Sequence, residues 1–288
     1  MDKSLENSFL RFIEVKSDVQ MRNQGHYEQF FKDCKDIVDL ACGDGDFVKL
    51  MCERGYRALG VDRDPVMHEA ARARGIPVVG DDVFNYLRNV AAESVDGFFS
   101  SHLVEHLHYE QVLELIELCY RALRPGGVLV LTTPNVRGLF SHLEMFWLHY
   151  GHTNFYHPRL LAFFLTYTGY ENIELGENQL TASPLLQHLR PLVQNLSLIM
   201  QSPEGGGGAP LPRPPRDLIL TGTSWWKKLI FKIKLYLAKS IALPYIDWTI
   251  GELNQTLSTL AYAQRQTMQA LVELDRPFEC YAVGRKPS

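Results

Sequence analysis

The stretch Asp36-Ile37-Val38-Asp39-Leu40-Ala41-Cys42-Gly43-Asp44-Gly45-Asp46-Phe47 constrains the fold more than any other part of this chain. A short apolar run ends in a turn of small residues, and a helical pattern starts at Phe47. Seventeen residues after Gly45, a second apolar run, Ala58-Leu59-Gly60-Val61, closes on Asp62. Gly43 and Gly45 let backbone approach a ligand closely, which a Cβ would obstruct. An acidic residue at the end of the second strand is placed to accept hydrogen bonds from ribose hydroxyls. The pattern predicts a strand–helix–strand unit with an adenosine-containing ligand on its first turn.

Strand-like and helix-like runs alternate from Asp36 to about Leu175, as a parallel sheet with crossover helices requires. The strand runs are 37–41, 58–61, 76–79, 95–100 and 128–132, with helical runs at 47–53, 65–74, 83–90 and 109–123 between them. Pro65 suits a first helical turn, and Arg124-Pro125-Gly126-Gly127 reads as a stop before the next strand. A helix over 158–168 leads to a strand at 170–175. The alternating run Phe278-Glu279-Cys280-Tyr281-Ala282-Val283-Gly284 reads as a final antiparallel strand. The expected fold is α/β: a Rossmann-like, doubly wound seven-stranded sheet with an antiparallel last strand and a helical insertion before it. The predicted organisation is an N-terminal helical arm (1–35), a ligand-binding core (36–179), a linker and basic helical insertion (180–274), and the terminal strand (275–288).

The turn discriminates among adenosine ligands. A dinucleotide fingerprint needs a third Gly where Val48 stands, and Asp44 and Asp46 would repel a pyrophosphate. No Gly-Lys-Ser/Thr follows, which excludes a P-loop. A cofactor without phosphate and with positive charge suits the acidic loop, and S-adenosylmethionine is one. The segment Asp39-x-Ala41-x-Gly43-x-Gly45 resembles the first motif of class I S-adenosylmethionine-dependent methyltransferases, with Ala41 in place of the usual first Gly. Gly80-Asp81-Asp82-Val83, the Val104-Glu105-His106-Leu107 turn, Leu123-Arg124-Pro125-Gly126-Gly127 and Thr132-Thr133-Pro134-Asn135 are similar to later segments of the same enzymes, in the same order. The resemblance implies that Asp39, Ala41, Gly43, Gly45 and Ser101 line the cofactor and that Asp62 binds its ribose. It also implies that Asp82, with Asp81 second, faces the adenine amino group, and that the Val83 amide serves adenine N1.

Two further pieces concern the acceptor. His152-Thr153-Asn154-Phe155-Tyr156-His157-Pro158 and the end from Asp275 to Pro287 resemble bacterial methyltransferases tied to surface-glycan assembly. The quinone-biosynthesis O-methyltransferases share the Glu-His-Leu and Pro-Gly-Gly signatures. The expected activity is therefore O-methylation of a hydroxyl on a saccharide or lipid-linked glycan, with a quinone or other aromatic hydroxyl as the alternative enzyme reading and a cofactor-binding regulatory protein as the non-enzyme one. Histidine is the natural base for a hydroxyl at neutral pH. His102 directly follows the fourth strand and His152 lies in a segment able to close over an acceptor, so these two are the expected catalytic residues. His157 reads equally as a helix cap. No metal site is expected.

Partners and location follow from composition. Five cysteines without paired spacing fit a reduced, cytoplasmic setting. Residues 202–215, with four successive glycines and five prolines, read as a flexible linker. Residues 211–250 hold seven Lys or Arg against two Asp, a local charge of +5 in a chain of net charge −4. Trp225 and Trp226 beside Lys227 and Lys228 have the composition of an interfacial anchor, which makes 225–246 a candidate for peripheral contact with the inner face of a membrane. Repeated lysines interrupt the run too often for a span, and Phe231-Lys232-Ile233-Lys234-Leu235 is open to helix or strand. Residues 251–274 are polar and helix-compatible. An acidic core and the absence of an Asn-Pro-Pro-Tyr/Phe segment, where Ser100-Ser101-His102-Leu103 stands instead, argue against a nucleic-acid substrate.

Overall fold

The computed structural model describes residues 5–12, 17–138, 141, 146–182, 225–237, 240, 243–274 and 276–288. The chain divides into two compact units, Met1–Leu186 with Glu273–Ser288, and Gln187–Val272.

The first unit is built on seven strands: β1 (Asp36–Leu40), β2 (Arg57–Asp62), β3 (Val78–Gly80), β4 (Val95–Ser101), β5 (Leu123–Pro134), β6 (Glu171–Glu177) and β7 (Glu279–Arg285). They form one sheet in the order β3-β2-β1-β4-β5-β7-β6. The first five are parallel, and β7 runs antiparallel between β5 and β6. This is the expected Rossmann-like sheet with a reversed last strand. The order reverses between β1 and β4, and in such sheets ligands bind at the carboxyl ends of the strands beside that switch point.

Local sequence explains the helices that frame those ends. The described helices of this unit are α1 (Leu5–Phe12), α2 (Ser17–Gln24), α3 (Asp46–Glu53), α4 (Pro65–Ala73), α5 (Val83–Asn89), α6 (Tyr109–Ala122), the single turn α7 (Phe146–Leu148) and α8 (Pro158–Thr168). The Asp64 carboxylate caps α4 by accepting from the Val66 and Met67 amides, with Pro65 in the first turn. Asp82 caps α5 through the Phe84 and Asn85 amides. Nδ1 of His157 accepts from the Arg159 amide at the start of α8, so its observed part is the capping one. Each such cap contributes about 0.5–2 kcal/mol.

Two apolar layers cover the sheet. Phe98 and Phe99 are successive and both fully buried, and the two-residue period of a strand sends them to opposite faces. Phe98 packs with Leu87, Leu115, Ile116 and Leu161; Phe99 packs with Phe31, Phe47 and Met51.

Two strands depart from expectation. β3 starts at Val78 and not at Ile76, because the Ile76 amide closes the end of α4 by bonding Ala71 O. β5 starts at Leu123, so Arg124-Pro125-Gly126-Gly127 is not a stop. A register shift opposite Val95 and Gly97 accommodates it, and the Gly126 amide donates to Lys286 O beside the end of β7. The chain terminus thus extends a strand that the local turn signal would have ended.

The second unit contributes two described helices, Trp225–Leu237 and Leu243–Leu274. The segment 231–235 is helical, not extended. Residues 202–215 lie outside the described ones. Among the described residues, no helix is long and apolar enough to cross a membrane.

Candidate active site at the strand ends

The turn after β1 is a run of left-handed backbone. Ala41 has φ 59°, Gly43 57° and Gly45 81°. A left-handed alanine costs about 1–2 kcal/mol relative to its usual conformations, so the turn carries strain at Ala41. The two glycines serve different ends. A Cβ on Gly45 would lie 2.9 Å from Ile76 Cγ2, so this glycine lets α4 pack closely. A Cβ on Gly43 would meet only Met67 Cε at 3.9 Å, which leaves that face of the turn open to a ligand.

Asp62, at the end of β2, holds this turn in place. Its Oδ2 accepts the Gly43 amide and its Oδ1 the Asp64 amide, each at 2.8 Å. Burial raises its pKa, against the lowering effect of those two amides. Asp39 is buried one strand away, and burial together with the Asp62 charge raises its carboxyl well above the ordinary value.

The acidic loop is not left as open negative charge. Asp46 is buried and accepts Arg74 Nη2 at 2.7 Å and Ser17 Oγ at 2.6 Å. Arg74 also reaches Asp44 at 3.2 Å. Electrostatic suitability for a cationic cofactor therefore rests less on Asp44 and Asp46 than their sequence position implies, because Arg74 compensates them. Asp81 and Asp82 stand beyond β3. Asp82 spends Oδ1 on the helix cap, while Asp81 is held by Asn85 Nδ2 at 2.8 and 3.0 Å. Val83, in the first turn of α5, is buried. These groups fit an adenosine-bearing cofactor: an open left-handed turn, a buried carboxylate at the next strand end and further acids past the third.

On the other side of the switch point, a charged network gathers residues from distant parts of the chain. His102 follows β4 with φ 55°, a left-handed backbone uncommon outside glycine. Its Nδ1 bonds Glu105 Oε1 at 2.9 Å and its Nε2 bonds Glu279 Oε2 at 2.8 Å. Both carboxylates are buried. Glu279 Oε1 also accepts from the Tyr27 hydroxyl and from Asn178 Nδ2 at 2.9 Å, and Glu105 Oε2 accepts Thr133 Oγ1 at 3.1 Å. The Thr132 hydroxyl stands 3.1 Å from Ser101 Oγ and 3.4 Å from Glu279 Oε2. Burial pulls the His102 pKa down, but bonds to two carboxylates outweigh it and hold it up to about 10. Burial likewise opposes ionisation of Glu105 and Glu279, and the bond from His102 lowers both. His102 is thus an imidazolium at neutral pH with both nitrogens donating, an arrangement that cannot take a proton. With 46% of its side chain exposed, it presents a fixed positive edge to solvent.

His152 has the opposite character. Its Nδ1 donates to Phe146 O at 2.8 Å, which leaves the lone pair on Nε2, 3.9 Å from Glu105 Oε1. Burial brings its pKa down to about 4, so the ring is neutral at physiological pH. The segment around it is fastened to the turn after β4: the Thr153 and Asn154 amides both donate to Glu105 O, and the Tyr156 hydroxyl to Leu107 O. Both expected catalytic histidines thus converge on Glu105.

Two neighbouring histidines join them. Ligand-type atoms of His106, His149 and His152 lie within 4.8 Å of one another. His106 Nδ1 bonds Gly151 O, whereas His149 Nδ1 accepts the Gly151 amide. In the neutral rings this puts the lone pair on Nε2 of His106 and His152 but a proton on Nε2 of His149. In these tautomers the cluster offers two metal-type donors, one short of a three-histidine set.

Asn178 and Arg74 belong to no motif. Glu279 lies in the end segment 275–287 and also reads as an acid inside the otherwise apolar alternation of β7.

Residues 38–131 match the family described as methyltransferase domain. A probable S-adenosylmethionine-dependent methyltransferase of Mycolicibacterium smegmatis is 29% identical over 118 residues, 40% of this chain and 44% of that protein. A ubiquinone biosynthesis O-methyltransferase of Xanthomonas oryzae pv. oryzae is 30% identical over 102 residues, 34% of this chain and 43% of that one. The chain thus spans less than half the length of these relatives. A crystal structure of a SAM-dependent methyltransferase from Archaeoglobus fulgidus superposes with a TM-score of 0.68 at 20% identity, covering 98% of this chain and 100% of that one, which shows the shared fold. Residues 38–131 are thus similar to a methyltransferase domain, and the seven-stranded sheet has the fold of a SAM-dependent methyltransferase of known structure.

Proposed function

We propose that the chain transfers a methyl group from S-adenosylmethionine to a hydroxyl oxygen, with His152 as the base and His102 as a positioning residue. The observation that carries this reading is the bonding around Glu105: His152 has Nδ1 on Phe146 O and its Nε2 lone pair available, beside a His102 whose two nitrogens each meet a buried carboxylate. S-adenosylmethionine supplies a methyl carbon activated by a sulfonium, so the protein mainly aligns the nucleophile and receives its proton. As the acceptor oxygen bonds the methyl carbon and the carbon–sulfur bond breaks, the hydroxyl proton passes to His152 Nε2. The Glu105 carboxylate, 3.9 Å away, stabilises the imidazolium that forms. The two ionised carboxylates around one imidazolium leave the network net negative, which favours a cationic donor.

On the donor side, Asp62 accepts the ribose hydroxyls, and the open face of Gly43 with Ala41 and Gly45 takes the methionine moiety. Asp39 and Ser101 border it. Asp82, or Asp81 beside it, receives the adenine amino group, with the Val83 amide on N1.

The acceptor class proposed is a saccharide or lipid-linked glycan. Its support is the segment His152–Pro158, which lies beyond the family match and is packed on the Glu105 turn. A lipid-linked acceptor also suits a helix, Trp225–Leu237, that exposes Leu229, Ile230 and Ile233 with Lys232 and Lys234, the composition of a membrane-surface element at the inner face. The ubiquinone O-methyltransferase relative favours a second reading, a quinone or other aromatic hydroxyl. Incubating the protein with methyl-labelled S-adenosylmethionine and extracted lipids and glycans separates them. Label in a glycan-bearing fraction supports the first, label in the quinone fraction the second, and no detectable cofactor binding overturns both.

A further inference from the structure

The helix Leu243–Leu274 is 32 residues long, about 48 Å at 1.5 Å per residue. Along 247–270 its described residues are exposed except Ala261 and Arg265, which are half-buried. Most helical stability in proteins comes from burying an apolar face, and the described side chains of this helix bury little. Its sequence carries such a face. Leu243, Ile246, Ile250, Leu253, Leu257 and Leu260, then Leu271 and Leu274, fall on one register of intervals of three and four, with the polar Gln264 and Thr267 at the two positions between them. That is the a/d pattern of a coiled coil sustained over more than four heptads. Midway along it, Ile250 is 49% exposed, Leu253 57%, Leu257 54% and Leu260 61%.

We propose that this helix pairs with the same helix of a second copy of the chain, as a parallel two-stranded coiled coil. The pattern specifies the occupant. A heptad seam is covered by another heptad seam of matching length. Among the described residues, the only other helix of this unit, Trp225–Leu237, has 13 residues and leaves its own Leu229, Ile230 and Ile233 exposed. An identical helix meets the need by two-fold symmetry, each seam packing on its own copy. Only the Ile250/Leu253 pair has the Ile-at-a, Leu-at-d choice of two parallel strands, since Leu243, Leu257 and Leu271 hold other a positions, so the two-stranded parallel arrangement rests on the polar a position. Gln264, the polar a position, faces its counterpart only in register, where the two amides can bond each other. Positions flanking the seam at its C-terminal half, Ala261, Ala263 and Ala270, are small and uncharged, so no like-charge repulsion opposes close approach there.

The full chain is tested by light scattering on a sizing column across micromolar concentrations. The expected result is a dimer that the double substitution Leu253→Glu/Leu260→Glu converts to monomer, while cofactor binding by the separate sheet unit stays unchanged. A wild-type monomer at 100 µM, or a dimer that the double substitution leaves intact, would overturn the proposal. Direction is read from Gln264→Cys in a Cys52→Ser background, since Cys52 is the exposed native thiol. Parallel, in-register helices bring the two a-position Cα atoms within disulfide range, so mild oxidation should give a covalent dimer in high yield. No cross-link from a species that scatters as a dimer would refute the parallel arrangement.

Discussion

The two sides of the switch point use polar groups in opposite ways. At the ends of β1 and β2, carboxylates are spent on backbone amides: Asp62 holds Gly43 and Asp64, and Asp82 caps α5. The amides these two carboxylates accept lie 2, 3 and 19 residues away. At the ends of β4, β5 and β7, side chains bond side chains across great sequence distance, with Tyr27 and Glu279 separated by 252 residues. The first side is a rigid cradle written locally. The second is a charged network that exists only when the arm, the turn after β4 and the last strand are assembled, so its energetics belong to the whole fold.

Breaking each side should therefore have different signatures. The largest effect is expected from Glu279→Ala, which strips His102, Tyr27 and Asn178 of a shared buried partner. Removing one member of a buried charged network costs about 3–5 kcal/mol, read as a fall in the denaturant midpoint. A loss below about 1 kcal/mol would mean that the network does not couple arm to sheet. Gly45→Ala on the cradle side should cost about 2–4 kcal/mol, from left-handed strain and crowding against Ile76. Calorimetry on this variant should also show that Gly43→Ala, with open space around its Cβ, costs less stability while harming cofactor binding more.

Asp62→Ala should weaken S-adenosylmethionine binding by roughly 1–3 kcal/mol through lost hydrogen bonds. Unchanged affinity by titration calorimetry would remove the ribose role. Ala41→Gly should raise stability by about 0.5–1 kcal/mol, as relief of left-handed strain exceeds the added freedom of the unfolded chain. An unchanged or lower melting temperature would show that the strain is not real.

The shallowest effect is pH dependence. The folded-state pKa of His102 lies near 10, above its ordinary 6.5. Its contribution is therefore complete below pH 6.5 and is lost as pH rises toward 10. The wild-type melting temperature should decline across that window more steeply than that of His102→Gln. Parallel profiles would mean that the ring is not held charged.

The legibility of the site follows the same division. The turn at Gly43 and Gly45 and the strand end at Asp62 could be placed because strand–turn–helix chemistry is written in consecutive residues. His102 and His152 were found by position, but their roles diverged once their partners were known: one nitrogen bonded to each of two carboxylates makes a cation, and a bond to Phe146 O with burial makes a neutral ring. Arg74 could not be foreseen beside Asp46, since nothing in a sequence tells which surface arginine turns inward. β5 ran through its turn signal because the chain end supplied the missing pairing.

By itself the sequence determined the strands, the reversed last one, the small-residue turn after the first and the heptad spacing of the long helix, all consequences of periodicity and spacing between near neighbours. Only the tertiary structure decided the protonation of His102 and His152, the neutralisation of the acidic loop and the place of Glu279. Those depend on burial and on charges brought within 3 Å across 177 residues of chain, and neither distance nor dielectric is encoded locally.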